Sequence, residues 1–278
     1  MSEGAYYLEP ALYDAVYADV VADIEPHVAR VRAAGGTALE LCCGNGRLLL
    51  PVLAAGLRCD GLDSDERMLE SLRAKLAAAG WQERAEGGGR RHRHADGREI
   101  GVRAGDMRDF SLHERYALVT IGFNSFLHNL TQADQLATLR CCRHHLASGG
   151  RLVLHAFHPG AAKLLEWTGP EKLMKDLPSG DGRIRVWDHA VDDRVDQVRS
   201  MTRRIELTDA SGAVTRRETV RFSLRYVYKP EMELLLRVAG FPRWEVRPAF
   251  ASYMEAGVPA GERAIQEGDV LEWTAWKD

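Results

Sequence analysis

The stretch "LELCCGNGRLLLP", from Leu39 to Pro51, limits the possible folds of this chain more than any other segment. An apolar run that contains Glu40 leads into two cysteines, a Gly-Asn-Gly turn and a second apolar run. We predict a buried strand over residues 37–42, a tight turn, and a helix over residues 46–55. A strand, a glycine turn and a helix in this order present backbone N–H groups to a small ligand.

The segments on either side of this turn alternate between helix and strand patterns. Residues 5–34 carry an apolar stripe, which predicts one N-terminal helix with recurring tyrosines at Tyr6, Tyr7, Tyr13 and Tyr17. Further strands are predicted over residues 58–62, 100–104, 117–123 and 151–157, and further helices over residues 65–79 and 132–146. Strands that alternate with helices predict a parallel sheet with helices on both faces.

Two segments break the alternation. Residues 82–99, "QERAEGGGRRHRHADGRE", have no apolar period, so we expect an exposed excursion in which residues 84–97 are exposed and mobile. Its "RRHRH" run could bind phosphate or a metal, but a solvated loop is the simpler interpretation. Residues 181–229 alternate apolar and polar side chains, which predicts three antiparallel strands outside the main sheet. A helix that opens at Pro230 and two last strands follow.

Composition and charge limit the class of protein. The chain has 278 residues with a formal net charge of −3, which does not indicate a general nucleic-acid-binding protein. No apolar stretch is long enough to span a membrane, and the N-terminus lacks the layout of a signal peptide. Five cysteines that include two adjacent pairs suit a reducing cytosol better than a disulfide framework. We therefore expect a cytoplasmic protein without a metal site; the weak alternative is a metal bound by Cys141 with His144 or His145.

Two classes of cofactor use a strand, a glycine turn and a helix, and the residues at this turn separate them. The nicotinamide fingerprint G-x-G-x-x-G fails because Leu49 stands where the third glycine allows close packing. An acid for a ribose is present, since Asp63 ends the second predicted strand. Glu40, however, would repel a pyrophosphate and attract a cation. S-adenosylmethionine carries an ammonium and a sulfonium and no phosphate, so it is the cofactor that we predict.

The residues that lead to this cofactor also carry a family resemblance. The segment "ALELCCGNGRLLLPVLAAGLRCDGLDSDERML" resembles motif I and the acidic strand that follows it in class I S-adenosylmethionine-dependent methyltransferases. Their usual turn is an acid followed by G-x-G-x-G; Glu40 matches the acid, Gly44 and Gly46 match the later glycines, and Cys42 replaces the first glycine. Later segments agree in the expected order: "AGDMRDF", "YALVTIGFNSFLHNL" and "LASGGRLVLHAFHPG". The chain is similar to small-molecule members such as amino-sugar and amino-acid N-methyltransferases.

The resemblance implies an α/β fold of the Rossmann-like kind. It implies a seven-stranded, mostly parallel sheet with helices on both faces, to which this chain adds an inserted antiparallel sheet. On this basis the chain divides into an N-terminal helical cap (1–36), a cofactor-binding core (37–180), an antiparallel insertion (181–229) and a closing helix and β-hairpin of the core (230–278). We expect the insertion to be a lid over the substrate or the face of a homodimer.

The resemblance and the predicted strand ends together assign candidate site residues. Those for the cofactor are Glu40, Cys42, Gly44, Asn45, Gly46, Arg47, Asp63, Ser64, Met68, Asp106, Met107 and Asn124. Those for the substrate are Tyr13, Tyr17, Ser125 and His158. Asp63 is expected at the ribose, with a helix cap as its alternative role. Asp106 is expected at the adenine amino group, and Met68 and Met107 are either adenine contacts or core residues.

His128 is the candidate catalytic residue. It follows the fourth strand of the resembled core, at the edge where open α/β sheets build their sites. A histidine can accept a proton near neutral pH, which suits the activation of an acceptor. The alternative is a histidine at a helix start that bonds only to a backbone carbonyl. His155, inside the fifth strand, is expected to be a core residue.

The predicted reaction is methyl transfer from S-adenosylmethionine to a small molecule, with nitrogen favoured slightly over oxygen as the acceptor. Two alternatives stay open at this point: an enzyme that uses the cofactor for cyclisation or elimination, and a nicotinamide-dependent oxidoreductase. A nucleic-acid methyltransferase is disfavoured, because "GFNSF" stands where an N/D-P-P-Y/F exit would follow the fourth strand, and because no basic surface is evident.

Overall fold

A computed structural model describes residues 8–86, 89–161, 164–165, 168–250, 265–266 and 269–278 of the chain. Within these residues the strands are β1 (Ala38–Leu41), β2 (Cys59–Asp63), β3 (Gln82–Glu86), β4 (Gly89–Arg93), β5 (Glu99–Ala104), β6 (Tyr116–Ile121), β7 (Leu146–Phe157), β8 (Lys172–Ser179), β9 (Gly182–Asp193), β10 (Val198–Thr208), β11 (Val214–Arg225), β12 (Arg243–Phe250) and β13 (Val270–Trp276). The helices are α1 (Pro10–Val16), α2 (Ile24–Ala34), α3 (Leu49–Ala54), α4 (Glu66–Ala78), α5 (Gln132–His145) and α6 (Lys229–Val238). None of the helices in this part of the chain is long and apolar enough to cross a bilayer.

The main sheet is mostly parallel and has β1 at its centre. Its order is β12-β13-β7-β6-β1-β2-β5-β4-β3, and β1 pairs in parallel with both β2 and β6. All four residues of β1 are buried, as expected for a strand covered on both faces by helices. This confirms the predicted fold class. It also places the glycine turn after β1 at the middle of the carboxyl edge of the sheet, where open α/β sheets bind ligands.

The main sheet has nine strands in the described residues, not the predicted seven, because residues 82–99 are not the expected loop. They form the antiparallel hairpin β3–β4, and β4 continues the sheet beyond β5. Cross-strand ion pairs such as Arg90 with Glu83 and the burial of His92 replace the apolar alternation that a strand usually has. The interpretation as a solvated loop was therefore wrong, although Arg84, Arg90 and Arg93 are exposed as expected, and the expected mobility stays a prediction. Residues 87 and 88 lie outside the described part.

The N-terminal segment forms two helices where one was predicted over residues 5–34. The turn between α1 and α2, residues 17–23, is held from outside, since Arg47 donates hydrogen bonds to the Val20 carbonyl and to the Asp23 carboxylate. These tertiary contacts outweigh the continuous helical pattern of the sequence. Tyr6 and Tyr7 lie outside the described residues. The helix after the glycine turn is also shorter than predicted, because it begins at Leu49 rather than at Gly46.

The inserted sheet has four antiparallel strands in the order β11-β10-β9-β8 and is separate from the main sheet. The prediction of three strands over residues 181–229 missed β8, so the boundary drawn at residue 180 was wrong. The alternation of β8 was hard to recognise because one of its buried side chains is Lys175, which donates a hydrogen bond to the Val16 carbonyl. An apolar cluster joins this sheet to α1 and the residues around it.

Candidate functional site

Three residues of the turn after β1 adopt left-handed backbone conformations. Gly44 and Gly46 have φ angles of 53° and 92°, and Cys42 has a φ of 56°. A Cβ on Gly46 would lie 2.6 Å from Cδ1 of Leu72, so both conformation and space require glycine there. Cys42 takes a conformation that glycine adopts more easily, and this residue is the one departure from the glycine pattern. The turn is therefore strained at Cys42.

Asp63, at the end of β2, fixes the neighbouring turn. Its carboxylate accepts hydrogen bonds from the N–H of Gly44 at 2.7 Å and from the N–H of Asp65 at 2.8 Å. Burial raises the pKa of Asp63, and these backbone hydrogen bonds only partly offset the rise. Ser64 follows on the surface. The carboxylate thus organises the glycine turn, and it does so at the strand end expected for the ribose acid.

A pocket of about 360 Å³, including space open to solvent, lies at this turn. Its walls come from α1, from the glycine turn and from the segment after β6, and the lining residues are Tyr13, Glu40, Cys42, Cys43, Gly44, Asn45, Arg47, Leu48, Gly122, Phe123 and Ser125. Seven of the predicted site residues meet in this pocket: Tyr13, Glu40, Cys42, Gly44, Asn45, Arg47 and Ser125.

The polar atoms of the pocket wall suit a ligand that donates hydrogen bonds. Oε2 of Glu40 and Oδ1 of Asn45 are buried and accept no hydrogen bond within the described residues. Oε2 of Glu40 lies 3.6 Å from Nε2 of the buried His27, too far for a good hydrogen bond. Two unused acceptor oxygens, one of them from a carboxylate, fit the ammonium of S-adenosylmethionine and would disfavour a pyrophosphate.

Arg47 and Asn45 hold the N-terminal segment against the pocket. Arg47 makes a two-point pair with Asp23, and its guanidinium lies 4.6 Å from the ring centre of Phe123. Asn45 donates to Oδ1 of Asp14 at 2.8 Å. Burial raises the pKa of the Tyr13 hydroxyl, while the nearby Arg47 lowers it in part. Asn45 and Arg47, both predicted to bind the cofactor, therefore direct the amide nitrogen and the guanidinium towards α1 and the turn after it.

The segment after β6 is a second strained turn. Phe123 and Asn124 have φ angles of 56° and 62°, which are uncommon for residues other than glycine. Oδ1 of Asn124 is buried and accepts no hydrogen bond from the described residues. Strained backbone at the carboxyl end of a central strand is typical of functional sites. Ser125 reaches the pocket, whereas Asn124 lies next to its lining residues.

The two candidate histidines each meet an aromatic ring. His128 ends the short 3₁₀ turn Ser125–His128, and its ring centre lies 6.2 Å from that of Phe222 on β11. His158 follows β7, and its ring centre lies 6.2 Å from that of Tyr228, just before α6. Both histidines are half-buried and stand at the carboxyl edge of the main sheet. Neither lines the pocket at the glycine turn.

The predicted adenine contacts lie next to the glycine turn. Sδ of Met107 is 3.7 Å from Sγ of Cys42, and Met68 is buried on α4. Asp106 is partly exposed and binds Arg108, and this hydrogen-bonded pair lowers the pKa of Asp106. Asp106 is therefore ionised at neutral pH, and both oxygens of its carboxylate can accept hydrogen bonds. The three residues do not line the described pocket.

Several residues of the site were not predicted from the sequence. Phe123 and Leu48 line the pocket but look like ordinary strand and helix residues in the sequence. His27 faces Glu40 from α2, and no local pattern singles it out. Tyr17, a predicted substrate residue, is buried outside the pocket lining, and its hydroxyl accepts a hydrogen bond from Arg203 of β10.

His155 and the Cys141–His145 pair lie away from the pocket; the first was predicted as a core residue and the second as a weak candidate for a metal site. His155 is buried and pairs with Glu272 of β13 at 3.2 Å, as expected for a core histidine. Burial lowers the pKa of His155. Sγ of Cys141 lies 3.9 Å from Nδ1 of His145. No group of three or more potential metal ligands occurs among the residues that the structure describes.

Comparison with known proteins supports the cofactor side of this site. Residues 39–152 match the protein family described as "Methyltransferase domain". The cypemycin N-terminal methyltransferase of a Streptomyces species is 25% identical over 238 residues, which cover 86% of this chain and 83% of that protein. The matched family region contains the glycine turn, Asp63, Asp106 and the exit of β6.

Solved structures agree in fold over almost the whole chain. The S-adenosylmethionine-bound amino pentose methyltransferase CalS10 from Micromonospora echinaspora is 20% identical and has a TM-score of 0.68, with 100% of both chains covered. The sugar N-methyltransferase KedS8 from Streptoalloteichus sp. ATCC 53650 is 18% identical with a TM-score of 0.68, covering 99% of this chain and 95% of that one. At these identities the structural likeness establishes the fold.

Proposed function

We propose that this enzyme methylates a nitrogen atom of a small molecule, because residues 39–152 match the family described as "Methyltransferase domain" and the chain is similar to an N-terminal methyltransferase over 86% of its length. The cofactor class and the reaction type follow from the domain. The choice of nitrogen and the roles of single residues are the proposal. The observation that carries it is the pairing of each edge histidine, His128 and His158, with an aromatic ring beyond the main sheet.

On the cofactor side, the residues of this chain bind S-adenosylmethionine and orient it. Glu40 and Asn45 offer their unused oxygens to the ammonium group, and the strained turn at Cys42 and Gly44 lets the ligand approach the backbone. We assign Asp63, at the end of β2, to the ribose hydroxyls. The bound cofactor supplies a methyl group on a positively charged sulfur.

On the acceptor side, the inserted sheet and the segment after it bring one aromatic ring to within 6.2 Å, between ring centres, of each edge histidine. Phe222 faces His128, and Tyr228 faces His158. Aromatic faces attract cations, so such walls suit an amine that arrives protonated and the positive charge near the reacting atoms. They offer less to a neutral alcohol. This difference is the physical reason for favouring nitrogen over oxygen.

The chemistry needs a neutral amine placed in line with the methyl group and the sulfur. An amine that arrives protonated would first lose one proton, and its nitrogen would then take the methyl group from the bound cofactor as the bond from carbon to sulfur breaks. We assign removal of that proton to the imidazole of His128, the histidine that follows the pocket-lining Ser125. Correct placement of the two reactants lowers the barrier by up to about 7–11 kcal/mol in favourable cases.

The relatives named above support nitrogen as the acceptor, because their names include an N-terminal methyltransferase and a sugar N-methyltransferase. A small-molecule acceptor is also consistent with the net charge of −3, which gives no general attraction to nucleic acids. We place the enzyme in the cytosol, and the five free cysteines support that location.

The proposal is tested by incubating the purified enzyme with S-adenosylmethionine and matched sets of amines and alcohols, followed by mass spectrometry. We expect gains of one methyl group among the amines. His128→Ala should then lower turnover by about 10²–10⁴-fold with cofactor affinity retained. The matched control is His113→Ala, because His113 is exposed and precedes β6, at the opposite edge of the sheet. Methylation confined to alcohols would contradict the choice of nitrogen, and full turnover in His128→Ala would contradict the role assigned to His128.

A further inference from the structure

Tyr17 lies behind the cofactor pocket and contacts two of its wall residues. Its ring centre is 4.7 Å from that of Tyr13 and 5.0 Å from that of Phe123, with the second pair edge to face. Tyr13 and Phe123 line the pocket, and Tyr17 does not. The position of these two pocket-lining rings therefore depends on where the ring of Tyr17 is held.

Tyr17 is itself held by the inserted sheet. The Tyr17 hydroxyl accepts a hydrogen bond from Nη1 of Arg203, on β10. Arg203 in turn makes a two-point pair with Asp188 of β9, at 2.7 and 2.6 Å. Nζ of Lys175, on β8, lies 5.4 Å from the Tyr17 ring centre and donates to the Val16 carbonyl. Three strands of the inserted sheet thus contribute to fixing one tyrosine.

We propose that Arg203, oriented by Asp188, is a positioning residue for the cofactor pocket and acts through Tyr17. The guanidinium fixes the Tyr17 hydroxyl, and the Tyr17 ring sets the positions of Tyr13 and Phe123. Affinity for S-adenosylmethionine is therefore set in part by a side chain of the inserted sheet that does not line the pocket. This inference rests on the proposed function in that the pocket is taken to bind the cofactor.

The same sheet contains a second buried arginine–aspartate pair, which matches the Arg203–Asp188 pair but does not contact Tyr17 among the contacts described. Arg199, four residues before Arg203 on β10, makes a two-point pair with Asp192 at 2.7 and 2.8 Å. Its side chain is 4% exposed, against 6% for that of Arg203, so the two arginines are buried to a similar degree. The two pairs should contribute similarly to the stability of the sheet. Only the Arg203 pair should affect the affinity for the cofactor.

The contacts of the N-terminal segment explain how a change at Arg203 alters the pocket. The segment that carries Tyr13 and Tyr17 is tied to the glycine turn by Asn45, which binds Asp14, and by Arg47, which binds Asp23. It is therefore held between the turn and the inserted sheet. Removing the hydrogen bond at Tyr17 loosens the Tyr17 ring, while Lys175 still donates to the Val16 carbonyl and the ties to the glycine turn remain.

The test measures the affinity for S-adenosylmethionine by calorimetry in Tyr17→Phe, Arg203→Met, Arg203→Lys and the control Arg199→Met. Tyr17→Phe keeps the ring and removes only the hydroxyl, so the fold should be retained. We expect Tyr17→Phe and Arg203→Met to bind about tenfold more weakly, the scale of one hydrogen bond to a charged group. Arg203→Lys should recover part of the affinity, because lysine keeps the charge but cannot make the two-point pair and reach the hydroxyl together.

Kinetics separate positioning from a general loss of structure. In Tyr17→Phe the KM for the cofactor should rise while kcat stays close to that of the wild type, the pattern of lost binding common to ground and transition states. Unchanged affinity in Tyr17→Phe, or equal losses in Arg203→Met and Arg199→Met, would overturn the inference. If the wild-type protein binds no S-adenosylmethionine, the proposed function fails first, so the two failures are distinguishable.

Discussion

The two sides of the site are built from different materials. On the cofactor side, the main sheet and its helices pack through apolar clusters, and the ligand-facing groups are backbone, two strained turns and the carboxylate of Glu40. On the acceptor side, the inner face of the inserted sheet buries charged side chains, which are Lys175, Asp188, Arg199 and Arg203. The cofactor side leaves acceptor oxygens unused, whereas the acceptor side uses its charges within the protein.

This difference separates two ways in which a fold prepares a site. An unused buried acceptor lowers the stability of the protein and can be recovered when a ligand donates to it. A buried ion pair is satisfied without a ligand, and its geometry fixes the side chains around it. We therefore expect changes on the cofactor side to alter binding more than stability. Changes on the acceptor side should alter stability more, with an effect on binding only through Tyr17.

The largest expected effect is on the ion pair of the inserted sheet. Asp188→Ala should lower the free energy of unfolding by about 3–5 kcal/mol, because it leaves the guanidinium of Arg203 buried without its carboxylate. Urea denaturation followed by circular dichroism measures this change. The double variant Asp188→Leu/Arg203→Met should recover most of the stability, since apolar residues of similar size can replace a buried pair.

The double variant separates the effect of the ion pair on stability from its effect on cofactor affinity. It should be stable and yet bind S-adenosylmethionine more weakly than the wild type, because the Tyr17 hydroxyl no longer has the hydrogen bond from Arg203. A double variant with both stability and affinity of the wild type would mean that the pair serves neither. A double variant as unstable as Asp188→Ala would mean that the geometry of the pair, rather than its charge balance, holds the sheet together.

A smaller effect, of the opposite kind, is expected at Glu40. Glu40→Gln keeps the size of the side chain and removes its charge, so the affinity for S-adenosylmethionine should fall by about 1.5–3 kcal/mol, roughly 10–100-fold. The stability of the protein without ligand should stay the same or rise. In the wild type, a buried carboxylate oxygen of Glu40 accepts no hydrogen bond from the described residues, and the variant replaces this charged group by a neutral amide. Calorimetry and thermal unfolding measure the two effects separately.

Asp60 on β2 provides the matched control. It is buried like Glu40, but its carboxylate accepts hydrogen bonds from the N–H of Gly101 and the hydroxyl of Tyr116, both at 2.8 Å. Asp60→Asn should therefore lower stability and leave the affinity for the cofactor unchanged. The comparison between the two sides of the site fails if Glu40→Gln binds the cofactor as tightly as the wild type does.

The sequence predicted the cofactor side well because its determinants are local. The acid, the compact residues and the glycines between Glu40 and Gly46 lie within one turn, and each has a conformational or electrostatic reason to be there. The alternation of strands and helices was also sufficient for the parallel sheet. The hairpin β3–β4 was missed because ion pairs such as Arg90 with Glu83 support it, and these have no apolar period.

The acceptor side could not be predicted because its contacts are distant in sequence. Tyr17 and Arg203 are 186 residues apart; the sequence suggested Tyr17 as a substrate residue, but Arg203 alone looks like an ordinary strand residue. Lys175 hides the alternation of β8, because a lysine in a strand is normally taken to face solvent. Its partners in the N-terminal segment become evident only when both elements are placed in space. Long-range polar contacts of this kind leave no local signal.

The smallest expected effect is at Cys42, on the cofactor side. Cys42 has a φ of 56°, a conformation that costs a residue with a Cβ about 1–2 kcal/mol relative to glycine. Cys42→Gly should remove that strain, while the greater freedom of glycine in the unfolded chain takes back about 0.5–1 kcal/mol. The net gain should be roughly 0.5–1 kcal/mol, or about 2 °C in Tm. Thermal unfolding without ligand measures it.

The control for this change is Cys42→Ala, which removes the thiol and keeps the Cβ. Alanine retains the strain and loses the contact of Sγ with Sδ of Met107 at 3.7 Å, so it should give no gain in Tm. If glycine lowers Tm as much as alanine does, the contact with Met107 outweighs the backbone strain. Affinity for S-adenosylmethionine should change little in Cys42→Gly, because glycine can hold the same φ. A large loss would instead mean that the Cys42 side chain itself contacts the ligand.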